Sequence, residues 1–128
     1  MDYPGVAVYS AQLLDRFFHP HWVGDIASPS AEATEGHPTC GDVVQIHLQI
    51  VEGSIRTARF RTLGCAVAIA ASDAMCELVT GQTPTAAQLL HLDELIAALG
   101  GIPPQRQSCA AAPLTALRSA LQRLSPIR

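Results

Sequence analysis

The apolar positions near the start of the chain repeat with the period of an α-helix. They fall at i, i+1, i+4 and i+5, which places them on one helix face: Leu13, Leu14, Phe17 and Phe18. Ser10 can cap the start of this helix, and Pro20 ends it. Residues 19–39 then lose all periodicity and are rich in Pro, Gly, Ser and Thr. This composition predicts a long, mobile loop of the kind that is often functional.

The middle of the chain changes to the two-residue period of a β-strand. Its apolar and polar side chains alternate: Val44, Ile46, Leu48 and Ile50 alternate with Gln45, His47 and Gln49. Glu52 and Gly53 are typical of a short turn. Residues 54–63 follow as a second strand, with Ala58 and Phe60 facing inward. The pattern therefore predicts an antiparallel hairpin.

The second half of the chain predicts three helices. Residues 65–80 are apolar around the whole helix circumference, so we expect a largely buried helix. Thr85 is expected to cap the start of the next helix, which Gly100 and Gly101 close. The last helix begins at or just after Cys109, because Pro113 is tolerated only in the first turn of a helix.

The composition excludes several kinds of function. All eight basic residues are Arg, so the chain cannot use a Lys amine for a Schiff base or a phosphate loop. A pI near 5.9 without a basic cluster argues against nucleic-acid binding. The longest apolar run, residues 65–71, is too short to span a membrane, and no signal peptide is visible. We therefore expect one cytoplasmic domain over residues 1–128, with residues 1–8 as a tail.

Four cysteines and five histidines stand out in this weakly charged chain. In a reducing compartment, such cysteines are more often metal ligands, reactive thiols or core residues than disulfides. Cys65 and Cys109 lie at predicted helix N-termini, where the helix dipole lowers the pKa of a thiol. Cys40 ends the predicted loop just before the first strand. Asp42, two residues later, is either an oxygen ligand or a solvated residue at the start of that strand.

The remaining candidates give weaker signals. Cys76 shares a helix face with Cys65, but an axial rise of about 16 Å separates them, so Cys76 is expected in the core. The histidines lack a second ligand at a zinc-type spacing and are expected to be solvated: His19, His21, His37, His47 and His91. His37, nearest to Cys40, is the best additional ligand. Because no Cys-x-x-Cys pair occurs, three unrelated cysteines stay an alternative to a metal or sulfur site.

Three longer motifs resemble the IscU/NifU-type iron–sulfur cluster assembly scaffolds. They are Thr-Cys-Gly-Asp at 39–42, Ala-Arg-Phe-Arg-Thr-Leu-Gly-Cys-Ala at 58–66 and Ile-Pro-Pro-Gln-Arg-Gln-Ser-Cys at 102–109. Their order and approximate distances are those of the family. The opening residues 9–10 and 19–24 are also similar, so the resemblance extends from about residue 9 to residue 124.

The resemblance implies an α+β fold, in which a small antiparallel sheet packs against helices, with the site at one exposed end. It implies four ligands at that site, namely Cys40, Asp42, Cys65 and Cys109. These residues would bind iron, receive sulfur from a cysteine desulfurase, and hold a transient 2Fe-2S cluster that passes to apo acceptor proteins. A carboxylate ligand and a ligand from a flexible loop would favour cluster release. Zinc in the purified protein and a homodimer are both compatible with the resemblance.

Two stretches of the chain differ from the typical pattern of this family. Ser108 replaces the His that usually precedes the third Cys, which leaves the same four residues as the full ligand set. The SufU-like branch shares this ligand set, but its insertion between the second and third Cys is missing here. Gln105 and Arg106 replace an apolar residue and a Lys in the stretch that an Hsp70-type chaperone recognises. Because Arg and Lys are not interchangeable, this weakens the case for docking of that chaperone.

Two classes of function follow from these observations. The first is a non-enzymatic scaffold that assembles a 2Fe-2S cluster and passes it on. The alternative is a zinc-dependent sulfurtransferase that works with a cysteine desulfurase. In that alternative, zinc orders the site and Cys109 or Cys65 accepts persulfide sulfur.

Overall fold

A computed structural model of the chain describes residues 9–36 and 41–124. Its helices and strands are, in chain order, α1 (Ala11–Phe18), β1 (Ala31–Gly36), β2 (Val43–Val51), β3 (Ser54–Leu63), α2 (Ala66–Val79), α3 (Pro84–Ala87), α4 (Leu92–Ala98), a 3-10 helix (Pro104–Ala110) and α5 (Ala111–Gln122). The strands form one antiparallel sheet in the order β1-β2-β3. Helix α2 packs against β3, and α5 packs against β1 and β2. This arrangement confirms the expected α+β fold.

Helix α1 begins and ends where the sequence predicts. The Ser10 hydroxyl accepts a hydrogen bond from the Leu13 N–H at 3.0 Å, which is a typical N-cap contact. At the other end, the His19 N–H donates to the Asp15 carbonyl. Leu13 is fully buried, whereas Phe18 stays exposed. Only part of the predicted apolar face therefore enters the core.

Strand β1 corrects the prediction that residues 19–39 form one long loop. Residues 31–36 pair with the first part of β2 in antiparallel register. Ala31 and Ala33 are buried on the core side, and Glu32 between them is exposed. The alternation is short and its apolar members are small, so it does not stand out from the surrounding Pro, Gly and Ser residues. Residues 37–39 lie outside the described part of the chain.

Between α1 and β1, the chain runs along the outer edge of β3. The Gly24 N–H donates to the Phe60 carbonyl at 2.9 Å, and the Phe60 N–H donates to the Trp22 carbonyl at 3.1 Å. These two bonds form a parallel bridge between residue 23 and β3. They hold residues 22–24 beside the middle of β3.

Strands β2 and β3 form the predicted hairpin. Glu52 and Gly53 both have positive φ values, 51° and 80°, as a two-residue type I′ turn requires. Ala58 and Phe60 are buried, as the alternation predicts. The register places Val43, the first residue of β2, opposite the last residue of β3.

His47 is not the solvated residue that the alternation predicts, because it is only 9% exposed. Its Nδ1 accepts a hydrogen bond from the Ile26 N–H at 2.9 Å. Its Nε2 lies 3.1 Å from a carboxylate oxygen of Glu32. The segment before β1 therefore covers this part of the outer face of the sheet, which a strand pattern alone cannot reveal.

Helix α2 is buried on nearly all sides, as its apolar composition predicts. Cys76 is fully buried in its second half, which confirms that this cysteine belongs to the core. Burial, together with the charge of Asp73, raises the pKa of the Cys76 thiol well above its usual range. Cys76 is therefore a packing residue.

A buried aspartate of α2 connects this helix to the N-terminal part of the chain. Asp73 is 1% exposed. Its Oδ1 accepts the backbone N–H groups of His21 at 2.7 Å and Trp22 at 2.8 Å. Its Oδ2 accepts a hydrogen bond from the Arg16 guanidinium at 2.8 Å, and Arg16 also donates to Glu77 at 2.8 Å. Both oxygens of this buried carboxylate are thus well paired.

The single helix predicted after α2 is divided into α3 and α4. The residue that caps α3 is Thr83 rather than Thr85, and its hydroxyl accepts a backbone N–H of the first turn at 3.1 Å. Helix α4 begins after His91, whose N–H donates to the Glu94 carboxylate at 3.0 Å. This second helix start at Leu92, five residues after α3 ends at Ala87, explains the break.

The 3-10 helix leads directly into α5, so the last helix begins just after Cys109, as Pro113 predicts. Leu114 and Leu117 of α5 are buried against the sheet side of the core. Within residues 9–36 and 41–124, no helix combines the length and apolar character needed to cross a membrane.

Candidate metal-binding site

The register of the hairpin brings Asp42 and Cys65 together. Asp42 immediately precedes β2, and Cys65 follows β3 by two residues as the N-cap of α2. Because the start of β2 lies opposite the end of β3, these two residues meet at one end of the sheet. The Cys65 N–H donates to one Asp42 carboxylate oxygen at 3.3 Å, and the Cys65 thiol donates to the other at 3.5 Å.

Gly64 makes this close approach possible. A β-carbon at residue 64 would lie 2.5 Å from both Cγ and Oδ1 of Asp42. That separation is far below a van der Waals contact, so a larger residue would push the carboxylate away. A glycine between a strand and a helix start is visible in the sequence, but only the packing shows that it serves Asp42.

Cys109 joins the group from the 3-10 helix. One ligand atom from each of Asp42, Cys65 and Cys109 lies within 4.8 Å of the other two. Ligands around a tetrahedral ion with bonds of about 2.3 Å lie roughly 3.8 Å apart, so a small inward movement would surround a metal. Two thiols and a carboxylate are suitable ligands for iron or zinc. The three side chains therefore form a candidate metal site.

The three residues of the candidate metal site differ in solvent exposure. Asp42 is 4% exposed and Cys109 is 2% exposed, whereas Cys65 is half-buried. The reading of Asp42 as a solvated strand-start residue is therefore wrong, since its carboxylate faces the thiols. Of these three residues, Cys65 is therefore the one most accessible to solvent.

Arg106 is a neighbour of this site that the sequence analysis considered only for chaperone docking. It is exposed and lies three residues before Cys109 in the same 3-10 helix. Attraction to Tyr9, followed by the interactions with Cys109 and Cys65, raises the pKa of Arg106. Residues three apart share a face of a 3-10 helix, and this spacing between Arg106 and Cys109 is the sequence signal that could have identified the contact.

The other candidates do not join the group. Cys40 and His37 lie outside the described residues, so their place at the site stays a prediction. None of the four described histidines belongs to the group: His19, His21, His47 and His91. Cys76 is buried in the core, away from solvent.

The chain matches a model of one protein family over nearly its whole length. Residues 8–127 match the model described as the NifU-like N terminal domain. The iron–sulfur cluster assembly scaffold protein IscU 1 of Archaeoglobus fulgidus is 36% identical over 114 residues, which cover 89% of this chain and 74% of that protein. The scaffold protein IscU of Aquifex aeolicus is 32% identical over 116 residues, with the same coverage of each chain.

A solved structure is similar in fold. It is the crystal structure of a putative iron–sulfur cluster assembly scaffold protein for the SUF system from Fervidobacterium islandicum. The TM-score is 0.75 at 22% sequence identity, and the match covers 90% of this chain and 97% of the other. This likeness supports the α+β fold of the chain.

Proposed function

The chain belongs to the NifU-like N-terminal domain family, and from this premise we infer that it is a scaffold for iron–sulfur cluster assembly rather than an enzyme. The two relatives described above, which are more than 30% identical over most of this chain, are named as scaffold proteins for this assembly. A scaffold binds iron and sulfur while a cluster forms and then releases the product. The cluster is thus the cargo of the protein.

One observation supports the proposed location of the cluster. The ligand atoms of Asp42, Cys65 and Cys109 converge to within 4.8 Å of one another from three separate parts of the chain. Such a convergence of thiols with a buried carboxylate suits iron better than it suits packing, because a buried acid is costly unless it is paired. We propose Cys40 as the fourth ligand, since only Gly41 separates it from Asp42 in the sequence.

We assign different roles in binding and releasing the cluster to the residues of the site. Cys65 and Cys109 supply soft sulfur ligands, which bind iron tightly. Asp42 supplies an oxygen ligand, which holds iron less firmly and is therefore the position at which an acceptor ligand can begin displacement. Gly64 keeps the Asp42 carboxylate against Cys65, so that this weaker ligand is in place when iron arrives.

A scaffold of this kind requires a protein that donates sulfur and proteins that accept the cluster. We propose that a cysteine desulfurase is the donor and that apo iron–sulfur proteins are the acceptors. The cargo proposed here is a 2Fe-2S cluster, and zinc would bind the same thiols in its absence. A cytoplasmic location stays a prediction.

Anaerobic reconstitution tests the proposed function. The reduced, metal-free protein is incubated with ferrous iron and inorganic sulfide, and visible absorption and Mössbauer spectra are recorded. We expect a 2Fe-2S spectrum for the natural chain and its loss in Cys65→Ser and Cys109→Ser. Cys76→Ser is the matched control, because it removes a thiol from the core and should leave the spectrum intact.

The same preparation distinguishes the alternative function. If the protein develops no cluster spectrum but retains one tightly bound zinc ion, the scaffold assignment is wrong and a zinc-dependent sulfurtransferase is favoured. For the role of Asp42, cluster transfer to an apo ferredoxin is timed. We expect Asp42→Ala to slow this transfer, and an unchanged rate would remove the assigned role.

A further inference from the structure

Two thiols of unequal exposure face each other at the site. The Sγ atoms of Cys65 and Cys109 lie within 4.8 Å, and neither residue is in a disulfide. Cys65 is half-buried, whereas Cys109 is 2% exposed. A sulfur donor that arrives from solvent therefore reaches Cys65 before it reaches Cys109.

This difference in exposure favours the solvent side of Cys65 as the place of a bound sulfur atom. A sulfane sulfur added there is attached to Sγ by a bond of about 2.05 Å. When that outer sulfur is turned toward solvent, the buried Cys109 thiol lies on the other side of Sγ. Displacement at sulfur needs the attacking and leaving sulfurs on opposite sides of the atom attacked, and this orientation of the persulfide would provide that arrangement.

We propose that Cys65 and Cys109 act as a dithiol that reduces sulfane sulfur to sulfide at the site. The Cys109 sulfur attacks Sγ of the Cys65 persulfide, a Cys65–Cys109 disulfide forms, and the bond between Sγ and the outer sulfur breaks. The outer sulfur leaves as hydrosulfide with the proton of the Cys109 thiol. The outer sulfur gains two electrons, and the sulfurs of Cys65 and Cys109 lose one each, so no further reductant enters this step.

Arg106 is the positioning residue for this reaction. It precedes Cys109 by three residues in the same 3-10 helix, and its positive charge attracts charge on the sulfurs of Cys109 and Cys65. It therefore orients the attacking sulfur of Cys109 on the inner side of the pair. An Arg cannot lose its charge at any physiological pH, so this attraction is permanent.

The inference rests on the proposed function, because it supplies the sulfide from which a cluster is built. After the step, the disulfide occupies two proposed ligands, and a small dithiol or a thioredoxin-type protein must reduce it before iron can bind. The order of events is therefore sulfide release, disulfide reduction and then cluster growth. An external electron donor is needed only to reset the pair.

A single-turnover experiment tests the inference on the full chain. Reduced, metal-free protein is loaded with glutathione persulfide under nitrogen, the donor is removed by rapid gel filtration, and samples are quenched with an alkylating agent. Peptide mass mapping follows the Cys65 persulfide and the disulfide, and a bimane derivative measures sulfide. We expect the persulfide to disappear as equal amounts of sulfide and Cys65–Cys109 disulfide are formed.

Four variants identify the reacting groups. Cys109→Ser should keep the persulfide on Cys65 and slow sulfide release by about tenfold or more, because the attacking thiol is gone. Cys76→Ser, which removes a buried thiol elsewhere, should behave like the natural chain. Arg106→Gln should slow the reaction without changing the thermal unfolding midpoint or the extent of persulfide loading. Arg106→Lys should recover part of the rate, which a merely structural role would not explain.

Sulfide release from Cys109→Ser at the natural rate would overturn the inference. A disulfide that joins Cys65 to Cys40 would also overturn it. Cluster formation from inorganic sulfide is measured on the same preparation. If that reaction succeeds while the disulfide fails to form, this inference is wrong and the scaffold function stands. If it fails, the scaffold function is wrong whatever the disulfide result.

Discussion

Within residues 9–36 and 41–124, two carboxylates are buried, and they differ in how well they are paired. Asp73 accepts three hydrogen bonds of 2.7 to 2.8 Å, one of them from a guanidinium. Asp42 accepts contacts of 3.3 and 3.5 Å, both from Cys65. Burial is almost the same, 1% and 4% exposed. A fully paired acid holds the fold together, whereas an acid with weak contacts beside two thiols has capacity left for a metal.

The partners of the two acids explain this difference. Asp73 joins α2 to α1 and to the backbone at residues 21–22, so its bonds connect parts of the chain that are distant in sequence. Among residues 9–36 and 41–124, the Asp42 carboxylate is hydrogen-bonded to Cys65, which shares its end of the hairpin, and it lies against Gly64. Removing Asp73 should therefore mainly lower the stability of the fold. Removing Asp42 should mainly weaken metal binding.

The largest expected effect is that of Asp73→Ala on folding. Removal of one partner of a buried ion pair typically costs about 3 to 5 kcal/mol, and here it also leaves two backbone N–H groups without an acceptor. We expect the free energy of unfolding to fall by about this amount in urea titrations followed by circular dichroism. Asp42→Ala is the matched control and should change the free energy of unfolding of the metal-free protein by less than about 1 kcal/mol. Equal losses in both variants would contradict the comparison.

Gly64→Ala should have an intermediate effect that falls mainly on the metal site. The added methyl group would lie 2.5 Å from Asp42, so the carboxylate must move and a strain of about 1 to 3 kcal/mol is expected. Displacing a group that supports a ligand typically weakens metal binding by about 10-fold to 100-fold. Titration with cobalt(II), followed by its visible absorption, measures this loss.

Gly36→Ala is the control for that variant. The nearest atom to a β-carbon at Gly36 is the Asp42 carbonyl oxygen at 3.6 Å, an ordinary contact. We expect its cobalt affinity to match that of the natural chain. If the two glycine variants bind cobalt equally well, the assigned role of Gly64 is wrong.

The smallest expected effect is on the pH dependence of stability, and it concerns Glu77, which shares the Arg16 guanidinium with Asp73. The hydrogen bond from Arg16, followed by that from Trp22, lowers the pKa of Glu77. A lowered folded-state pKa means that the charged carboxylate stabilises the fold above its unfolded pKa, and this stability is lost as the pH falls through the folded pKa. Glu77 is half-exposed, so we expect a contribution of about 0.5 kcal/mol at most.

The measurement compares Glu77→Gln with the natural chain. Urea titrations at about pH 6 and about pH 3.5 should show a smaller fall in stability for the variant, because it has no Glu77 carboxylate to protonate. An identical fall in both proteins would show that the ionised Glu77 carboxylate does not contribute to the free energy of unfolding.

The local features of the fold were predictable from the sequence. The Ser10 cap, the hairpin turn at Glu52 and Gly53, and the burial of α2 each depend on residues close together in the chain. Cys76 could be placed in the core because helix geometry separates it from Cys65. The three motifs that resemble the family also pointed to Asp42, Cys65 and Cys109, which the structure brings together.

The features that were missed depend on contacts between distant residues. Strand β1 exists because its short Ala31 and Ala33 alternation finds β2 as a partner. His47 is buried because the backbone near Ile26 covers it. Asp42 is buried because Gly64 leaves room for it. In each case the residues that cause the burial or pairing are distant in sequence, so the local pattern does not reveal it. The sequence pattern therefore predicted a solvated His47 and did not decide whether Asp42 is a ligand or a solvated residue.

The bridge between residues 22–24 and β3 also affects how the protein behaves in a crowded solution. Exposed strand edges recruit strands from other chains and lead to aggregation. Here the backbone of Phe60 in the middle of β3 is already paired with Trp22 and Gly24, and β1 is short and carries Glu32 and Glu35. Both edges of the sheet are therefore protected against pairing with strands of other chains. If the proposed partners bind at the end of the sheet that carries the thiols, the edges of the sheet will not compete with that end for them.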